Sequence, residues 1–498
     1  MSGQTNNTST LPEIRRTPDR FRNAIGKYRL LRSNACVACG KCAEICPYGV
    51  HVKRNNKMAV PKSYLCIGPE CNKCVEGCPE NALILKKNPL TDVIGDRRWT
   101  PDLLISTWYM AETGKVPPGN IEYKIGDSGG GFDKIRFHYT GKQAPELDAS
   151  KFSTSIRLNK RNDNRADLGI DIPVYGGGMS YGSINLKTMV ARARAWKAWN
   201  SFTCTGEGGY PEELYPYDNH VITQVATGLF GVREETIQRV KIVEFKYAQG
   251  AKPGLGGHLL GAKVTPEVAR MREAVPGASL FSPFPFHSVY SVEDHKKHID
   301  WIKEINPDTL VSVKVSTPTD VDMVAVGSYH AGAHIIHLDG SYGGTGAAPE
   351  IAKKNIAMPI EYAIVKVHNF LKQEGIRDKI TVIASGGIRT AFDAAKAIAL
   401  GADGVVIGTA ELVALGCIRC TNCESGRGCA RGIATTDPEL VKLIDVDWAT
   451  QRLINLFAAW RSQFIKILQM LGMRDIKELT GRTDCLRHLD YKEPGVGV

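Results

Sequence analysis

The chain has no apolar run approaching the ~20 residues that a membrane-spanning helix needs. Its opening stretch, Met1 to Arg16, holds no apolar signal core. These two absences predict a cytoplasmic protein without a membrane span. Acidic residues are in deficit, with 52 Asp and Glu against 63 Lys and Arg, a net charge of +11. The basic residues are dispersed rather than gathered in one stripe, which argues against nucleic-acid binding and for acidic substrates or acidic carrier proteins. Isolated cysteines are scarce. Of 14, only Cys204 and Cys485 stand outside ligand-like groups, and both read as buried packing residues rather than nucleophiles. Thiols gathered in ligand groups fit a reducing compartment. A strict GxGxxG fingerprint is missing too. Gly254-Leu-Gly-Gly257 has the composition but not the spacing, so no dinucleotide site is expected there.

What the chain has is cysteine in ordered runs. Cys36-x2-Cys39-x2-Cys42-x3-Cys46-Pro47 is followed by Cys66-x4-Cys71-x2-Cys74-x3-Cys78-Pro79. Four closely spaced thiolates suit a [4Fe–4S] cube, and in two-cluster ferredoxins the fourth cysteine of each run serves the other cluster. The pattern therefore assigns Cys36, Cys39, Cys42 and Cys78 to one cluster and Cys46, Cys66, Cys71 and Cys74 to the other. Structural zinc prefers two separated CxxC pairs, and disulfides are the remaining bland reading. Iron–sulfur clusters pass single electrons, so the chain is expected to exchange electrons with a partner.

With 498 residues, 43% hydrophobic and 23% charged, the chain has room for several domains. Residues 1–30 read as a polar N-terminal extension and 31–87 as the ferredoxin-like 2[4Fe–4S] domain. Residues 88–168 are turn-rich, with Pro117-Pro-Gly119 and Gly129-Gly-Gly131, and read as a connector wrapping the next domain. No internal repeat is evident beyond the paired cysteine runs. From about residue 169 to 435, β-type runs alternate with helical stretches. Eight runs stand out: Ile172–Tyr175, Ser201–Thr205, Ile242–Ala248, Ser279–Pro283, Leu310–Val315, Ala333–Leu338, Ile380–Ala384 and Gly404–Ile407. Helical stretches include 185–199, 223–240, 291–305, 350–373 and 391–400. This alternation predicts parallel βαβ units. Eight of them suggest an α/β fold of the (β/α)8 TIM-barrel type, with an open doubly wound sheet as the rival. Residues 436–498 read as a C-terminal helical segment, its helices within 436–475 packing outside the barrel.

A barrel enzyme builds its site from the loops after its strands, often with a phosphate site after strands seven and eight. Strand seven runs into Ser385-Gly386-Gly387-Ile388-Arg389 and strand eight into Gly408-Thr409. Glycines let backbone N–H groups approach a phosphate, and an arginine adds charge. A phosphate-binding barrel beside iron–sulfur centres points to FMN, which converts single electrons into a hydride. Gly177-Gly-Met179-Ser180-Tyr181-Gly182 follows the first strand and would floor the flavin. Lys314 lies inside an apolar strand, where an unpaired charge is costly. It reads as a cation facing the flavin's N1/O2 edge, or as a lysine snorkelling to the rim. After strand eight comes Cys417-x2-Cys420-x2-Cys423-x5-Cys429, a third iron–sulfur site beside the flavin's phosphate loop.

These motifs together resemble the synthase domain of glutamate synthase in its archaeal-type form. The matching stretches are Gly177 to Ile184, Thr205-Gly-Glu207-Gly-Gly209, Gln224 to Val232, Lys246-YAQGAKPG-Gly254 and Ser282 to Asp294. They continue with Gly340-Ser-Tyr-Gly343-Gly344-Thr345 to Pro349, Ser385 to Thr390, Gly408 to Cys417 and Gly432 to Leu440. The resemblance covers roughly residues 90–445, and the cysteine module fits the archaeal arrangement. It implies an FMN-binding barrel in which reduced flavin reduces 2-iminoglutarate, formed from 2-oxoglutarate and ammonia, to L-glutamate. Met179, Ser180, Tyr181, Glu207, Gln224, Lys314, Gly343, Gly344, Thr345, Gly386, Gly387, Arg389, Gly408 and Thr409 would then line the cofactor. Lys246, Lys252 and Arg272 match the family's 2-oxoglutarate positions. The bland reading of Arg272 is a solvated helix charge.

The chain departs from the family's pattern. The family's glutamine in KPGEGGQ is His258, with Leu255 before it, and SPPPHHD has become Ser282-Pro-Phe-Pro-Phe286-His-Ser288. A histidine there also resembles the N-methylglutamate synthase branch. The third cysteine group has one residue more than the family's three-cysteine [3Fe–4S] spacing, and the extra Cys420 could complete a [4Fe–4S] site. Neither a glutaminase domain nor a β-helix domain is evident, which implies separate subunits, or free ammonia as the nitrogen source. An oligomer and an electron-donor protein are expected. Ferredoxin, a deazaflavin subunit and a pyridine-nucleotide subunit all stay open as donors. A non-catalytic electron-transfer flavoprotein subunit is the reading from another class.

Overall fold

The computed structural model describes residues 11–20, 26–118, 131–139, 148–161, 163, 165–345, 348, 351–352 and 355–490. Gly129 and Gly130 of the expected turn-rich connector, and Gly346, Ala347 and Pro349 of the glycine-rich loop, lie outside these residues.

The N-terminal module pairs two strands antiparallel, Tyr28–Arg32 with Leu83–Lys87. Each cysteine run contributes one short helix, Lys41–Ile45 and Lys73–Glu76. A small hairpin, Lys53–Arg54 against Lys57–Met58, projects between them. The core beneath is slight: Leu30, Val50, Leu65 and Leu83 close on Cys42 and Cys74. A domain this small buries little apolar surface and usually needs a metal or disulfides to hold together.

Helix Pro101–Thr113 bridges the module to the rest. On one side Tyr64 Oη donates to Glu112 and Tyr109 packs on the module's core. On the other Trp108 Nε1 donates to the Val413 carbonyl at 2.8 Å.

Eight parallel strands follow: Val174–Gly176, Thr203–Cys204, Val221–Ala226, Ile242–Lys246, Leu310–Ser316, Ile335–Asp339, Thr381–Ser385 and Gly404–Ile407. They hydrogen-bond in sequence order around a ring. A Gly178–Cys204 bridge and the Gly176 N–H on the Phe202 carbonyl join the first strand to the second. The result is the (β/α)8 barrel that the alternation predicts. Seven of the eight expected runs supply barrel strands, but one assignment is corrected. Ser279–Pro283 is not a barrel strand. Leu280–Phe281 pairs antiparallel with His258–Leu259 in a hairpin over the barrel mouth. The missing strand is Val221–Ala226, which the sequence reading placed in a helix over 223–240. Helix there is confined to Glu234–Arg239. All six residues of that strand are buried, so it shows none of the alternation that marks a half-exposed strand. Consequently Lys246 ends the fourth strand, not the third, while Lys314 stays in the fifth.

The helices start where side chains cap them. Asn185, Ser291, Thr390 and Asp445 accept from the N–H groups of Thr188, Asp294, Asp393 and Trp448. The long helix Val446–Leu471 lies across Leu186–Ala198 and Pro101–Thr113 and stops at Gly472 in the left-handed region. No described helix is long and apolar enough to cross a membrane.

Candidate functional site

Strand alternation aims one set of side chains into the barrel. In Ile242-Val-Glu-Phe-Lys246, Glu244 and Lys246 point inward, while Phe245 packs outward on Phe286, His295 and His298. Lys246 and Lys314 are register partners on adjacent strands, and each ammonium ends on a carboxylate. Lys246 Nζ lies 2.6 Å from Glu207 Oε2. Lys314 Nζ lies 3.3 Å from Asp339 Oδ2. Lys314 is 8% exposed, so it does not snorkel to the rim. Below them runs a buried polar network. Gln224 donates to Glu244, Ser312 Oγ donates to its other oxygen, and His337 bridges that oxygen to Ser385, which donates to Asp339. Burial pushes the Glu244 carboxyl up, but His337, Lys314 and Gln224 outweigh it and hold it down at about 2. Gln224 also lies against Gly178, where any Cβ would fall 2.8 Å from its amide.

Around Glu207 the expected substrate residues come together. Burial alone would raise its pKa, but Lys246, Lys252 and Arg272 lower it. Arg272 closes helix Pro266–Arg272, and its Nη2 donates to Ser180 Oγ at 2.7 Å and to the Tyr181 carbonyl at 3.0 Å. Among the described residues its Nε is buried without a partner, as is Ser282 Oγ. Lys252 is 3% exposed, and its side chain makes no hydrogen bond or ion pair among the described residues. Burial, then the neighbouring Lys246, push its ammonium down to about 8. Burial lowers Arg272 to about 10, with Glu207 opposing. A buried, unpartnered ammonium is costly unless an anion arrives.

His258 lies at the edge of this group, its ring stacked on Phe281 at 4.6 Å. Leu255 is 43% exposed beside it. Phe286 is elsewhere. It is buried behind the fourth strand, edge-on to Tyr247 at 4.9 Å. The departure at Phe286 is therefore a packing change, because Phe245 and Tyr247 face the outer layer there.

The loops where the sequence predicts a phosphate present backbone. Gly386 and Gly387 sit at φ +90 and +107, and a Cβ on Gly386 would come 2.4 Å from the Gly340 carbonyl. The N–H groups of Gly386, Gly387, Gly408 and Thr409 have no acceptor among the described residues. Unsatisfied N–H groups gathered at glycines form an anion cradle. Gly343 and Gly344 approach from the sixth strand's loop. A Cβ on Gly344 would lie 2.7 Å from Thr409 Oγ1, and Thr345 follows it. Met179 packs on the core beside Tyr181. Arg389 corrects the sequence reading. Its guanidinium is 2% exposed, binds Asp393 and the Arg98 carbonyl, and pairs with Asp133. Its charge is used within the protein and is not offered to a phosphate.

The cysteines gather as the spacing assigns them. One cavity is lined by Cys36, Cys39, Cys42 and Cys78, the other by Cys46, Cys66, Cys71 and Cys74. Each cavity takes three cysteines from one run and one from the other, the interleaving that the spacing predicts. Among the described residues no three His, Cys, Asp or Glu side chains converge on a single metal ion. Backbone N–H groups of Gly68 and Ala82 donate to the sulfurs of Cys66 and Cys78. In the third group Cys429 and Cys423 both raise the Cys417 thiol, and Cys429 raises the Cys423 thiol, each after burial. Cys420 is exposed and adjoins only Cys423 among them. Arg419, tied to Asp96 at 2.7 Å, and the Ile418 carbonyl, which accepts from Gly95 N–H, fasten this loop to the segment after the cysteine module.

The profile of a conserved region in glutamate synthase matches residues 134–474. The chain is 36% identical over 482 residues to the archaeal-type glutamate synthase [NADPH] of Thermotoga maritima, covering 92% of this chain and 94% of that one. The archaeal glutamate synthase [NADPH] of Methanocaldococcus jannaschii is 37% identical over 508 residues, 95% and 97% of the two chains. The chain belongs to the glutamate synthase family. Members of that family are oxidoreductases acting on CH–NH2 groups. Against the glutamate synthase [NADPH] large chain of Azospirillum brasilense the match is 37% over 319 residues, 63% of this chain but 21% of that one. Among solved structures, a mutant flavocytochrome b2 with pyruvate bound aligns at TM-score 0.44 and 17% identity over 74% and 79% of the chains. A mandelate oxidase mutant aligns at 0.42 and 15% over 79% and 92%.

Sequence reasoning missed Glu244, His337, Ser385 and Asp339 as site residues. Each is one polar residue in a short buried strand, and polar residues at alternate positions of Ile242–Lys246 and Ile335–Asp339 were the available signal. Arg192 with Glu411 was missed too. This fully buried pair at 2.9 Å fixes the first strand's loop by donating to the Gly177 carbonyl.

Proposed function

We propose that the chain is the synthase subunit of a split glutamate synthase and reduces 2-iminoglutarate, from 2-oxoglutarate and ammonia, to L-glutamate. The observation that carries this is the charge of the barrel mouth. Lys246, Lys252 and Arg272 surround one carboxylate, Glu207, leaving an excess of two positive charges. That excess matches a dicarboxylate. Arg272, with a free Nε, offers one anchor, and the unpartnered Lys252 offers the other. Lys246 Nζ, held on Glu207, keeps a proton beside the position the imine nitrogen would take.

The residues fit FMN. The N–H cradle of Gly386, Gly387, Gly408 and Thr409 would take the phosphate. Gly178, Met179, Gln224 and Lys314 would surround the ring, with Lys314 on the side where the reduced ring carries negative charge. FMN would supply the hydride and accept electrons singly. Clusters in the two ferredoxin-type cavities and at Cys417, Cys423 and Cys429 would feed it. Bringing the imine carbon to the flavin then depends on the two carboxylate anchors.

The test is anaerobic. Protein carrying flavin and clusters is photoreduced, then mixed with 2-oxoglutarate and ammonia. Rapid reoxidation with glutamate formed in equal amount is expected. No reoxidation by the pair would overturn the reading. Faster reoxidation with methylamine than with ammonia would move it to N-methylglutamate chemistry, for which His258 in place of glutamine is the relevant departure.

A further inference from the structure

The cysteine module has a face turned to the barrel and a face turned away from it. The segment carrying Cys66 docks inward through Tyr64 on Glu112, with Lys27 on Asp102 at 3.0 Å alongside. The cavity of Cys36, Cys39, Cys42 and Cys78 lies at the other end. Its lining includes Arg32, Lys41 and Met58, and Cys39 is exposed. Over its rim stands the hairpin Lys53-Arg-Asn-Asn-Lys57, every residue of which is exposed. Lys53 Nζ reaches the Cys39 carbonyl at 3.5 Å, so the hairpin's charge begins at the cavity wall. Arg32 fixes the hairpin's exit by donating to the Ala59 carbonyl at 2.9 Å. None of Lys41, Lys53, Arg54 and Lys57 forms an ion pair among the described residues. Glu44, exposed on helix Lys41–Ile45, is the carboxylate of the first run's helix. The Cys66–Cys78 run instead places Glu76 and Glu80 on the surface beside Lys73. Two apolar side chains complete the cationic rim, Val37 at 66% and Val60 at 88% exposed.

We propose that the hairpin Lys53–Lys57, with Lys41, Val37 and Val60, is the docking surface for an acidic one-electron carrier protein that delivers electrons at the Cys36/Cys39/Cys42/Cys78 cavity. This rests on the iron–sulfur reading above. Exposed cations without carboxylate partners among the described residues lose no ion pair when a carboxylate-rich partner arrives, and they accelerate its encounter. The apolar pair gives the contact a dry centre. Delivery at this end places the carrier at the far end of a line that runs through the inner cavity and helix Pro101–Thr113 to the Cys417 loop.

The test compares Lys53→Glu/Lys57→Glu with a control of equal charge, Lys296→Glu/Lys297→Glu on the helix Val292–Ile305 of the barrel. The probe is an acidic [2Fe–2S] ferredoxin. Two readouts are taken at low ionic strength: ferredoxin binding by calorimetry, and cluster bleaching on mixing with reduced ferredoxin. Neither measures glutamate, so a failure of the glutamate reading leaves the result intact. The hairpin variant is expected to bind and to be reduced at least tenfold more weakly than the parent, with the gap closing as salt is raised. Reduction by a neutral deazaflavin radical is expected to be unchanged, which also shows that the module is folded. Equal losses in both double variants, or parent-like binding by the hairpin variant, would overturn the proposal.

Discussion

The cysteine module and the barrel solve the problem of burying polar groups in opposite ways. In the module thiols line two cavities, and the apolar core is four side chains beside two of those cysteines. In the barrel Glu244, His337, Ser385, Asp339 and Lys314 are buried too, yet each finds a partner across the strands. Burial raises the thiols of Cys42, Cys66 and Cys74, whereas it fails to raise Glu244 against its cationic neighbours. The charges on the barrel strands are paired within the fold, whereas burial dominates the thiols of the module. The two regions should therefore respond differently to loss of their metals and of their ion pairs.

The largest effect is expected from removing iron. Chelation, or Cys42→Ser with Cys74→Ser, should collapse the module because binding free energy of this kind is folding free energy. Limited proteolysis should then cut within 31–87 while the barrel persists as a resistant fragment. Intact protein should hold about eleven or twelve irons and one FMN per chain. A module that resists protease without iron would mean that its core suffices, and the contrast would fail.

Within the barrel, Arg192→Met should be the most damaging single change, leaving Glu411 buried without its partner at a cost of about 3–5 kcal/mol. Burial already raises the Glu411 carboxyl despite Arg192. The double variant Arg192→Met/Glu411→Leu should recover most of the loss in thermal unfolding. If it does not, the pair's role is to hold Gly177 rather than to neutralise charge.

Arg272→Ala should cost about 1.5–3 kcal/mol, roughly ten- to a hundredfold in kcat/KM for 2-oxoglutarate, with flavin content and reduction rate kept. Unchanged reoxidation kinetics would remove the carboxylate clamp. The Lys252 effect is smaller and depends on pH. Burial lowers its pKa to about 8, so the ammonium is present below that value and lost above it. The kcat/KM for 2-oxoglutarate should fall as pH rises through about 8, and Lys252→Arg should move that limb upward. A limb unmoved by the substitution assigns it to another group.

The barrel was legible because seven of its strands are short apolar runs separated by helices. The eighth, Val221–Ala226, was hidden by its own burial: Val-Ile-Thr-Gln-Val-Ala has no alternation, and Thr-Gln-Val-Ala runs on into residues that pass for a helix. Ser279–Pro283 deceived in the other direction, since its apolar residues serve a hairpin over the mouth. The cysteine quartets were legible from spacing alone, because a cluster constrains sequence distance as well as space. Arg389 was not. Its partner Asp133 lies 256 positions earlier, and no local pattern records such a pairing. Lys246, Lys252 and Arg272 were placed by resemblance, as was Glu207 among the cofactor residues, but that Glu207 lies among the three cations is evident only in three dimensions.

The smallest effect is expected at Cys420, and it sharpens the comparison within the third cysteine group. Four cysteines in thirteen residues invite a four-ligand cluster. The structure separates them: Cys429 is buried, Cys417 and Cys423 are half-buried, and Cys420 is exposed. Thr421, in the left-handed region at φ 62, turns the chain just after Cys420. A cluster ligand gains from a dry, positively polarised site, which Cys417 has beside Arg419 and Cys423 has beside Lys263. Cys420→Ser should therefore retain the barrel cluster, with iron content lowered by no more than about one atom per chain, whereas Cys417→Ser should lose about three. Electron paramagnetic resonance distinguishes the outcomes directly. An unchanged oxidised signal in Cys420→Ser identifies a three-iron centre held by Cys417, Cys423 and Cys429. Complete loss of the signal would make Cys420 a ligand, and the exposed loop would then have to fold inward around the fourth iron.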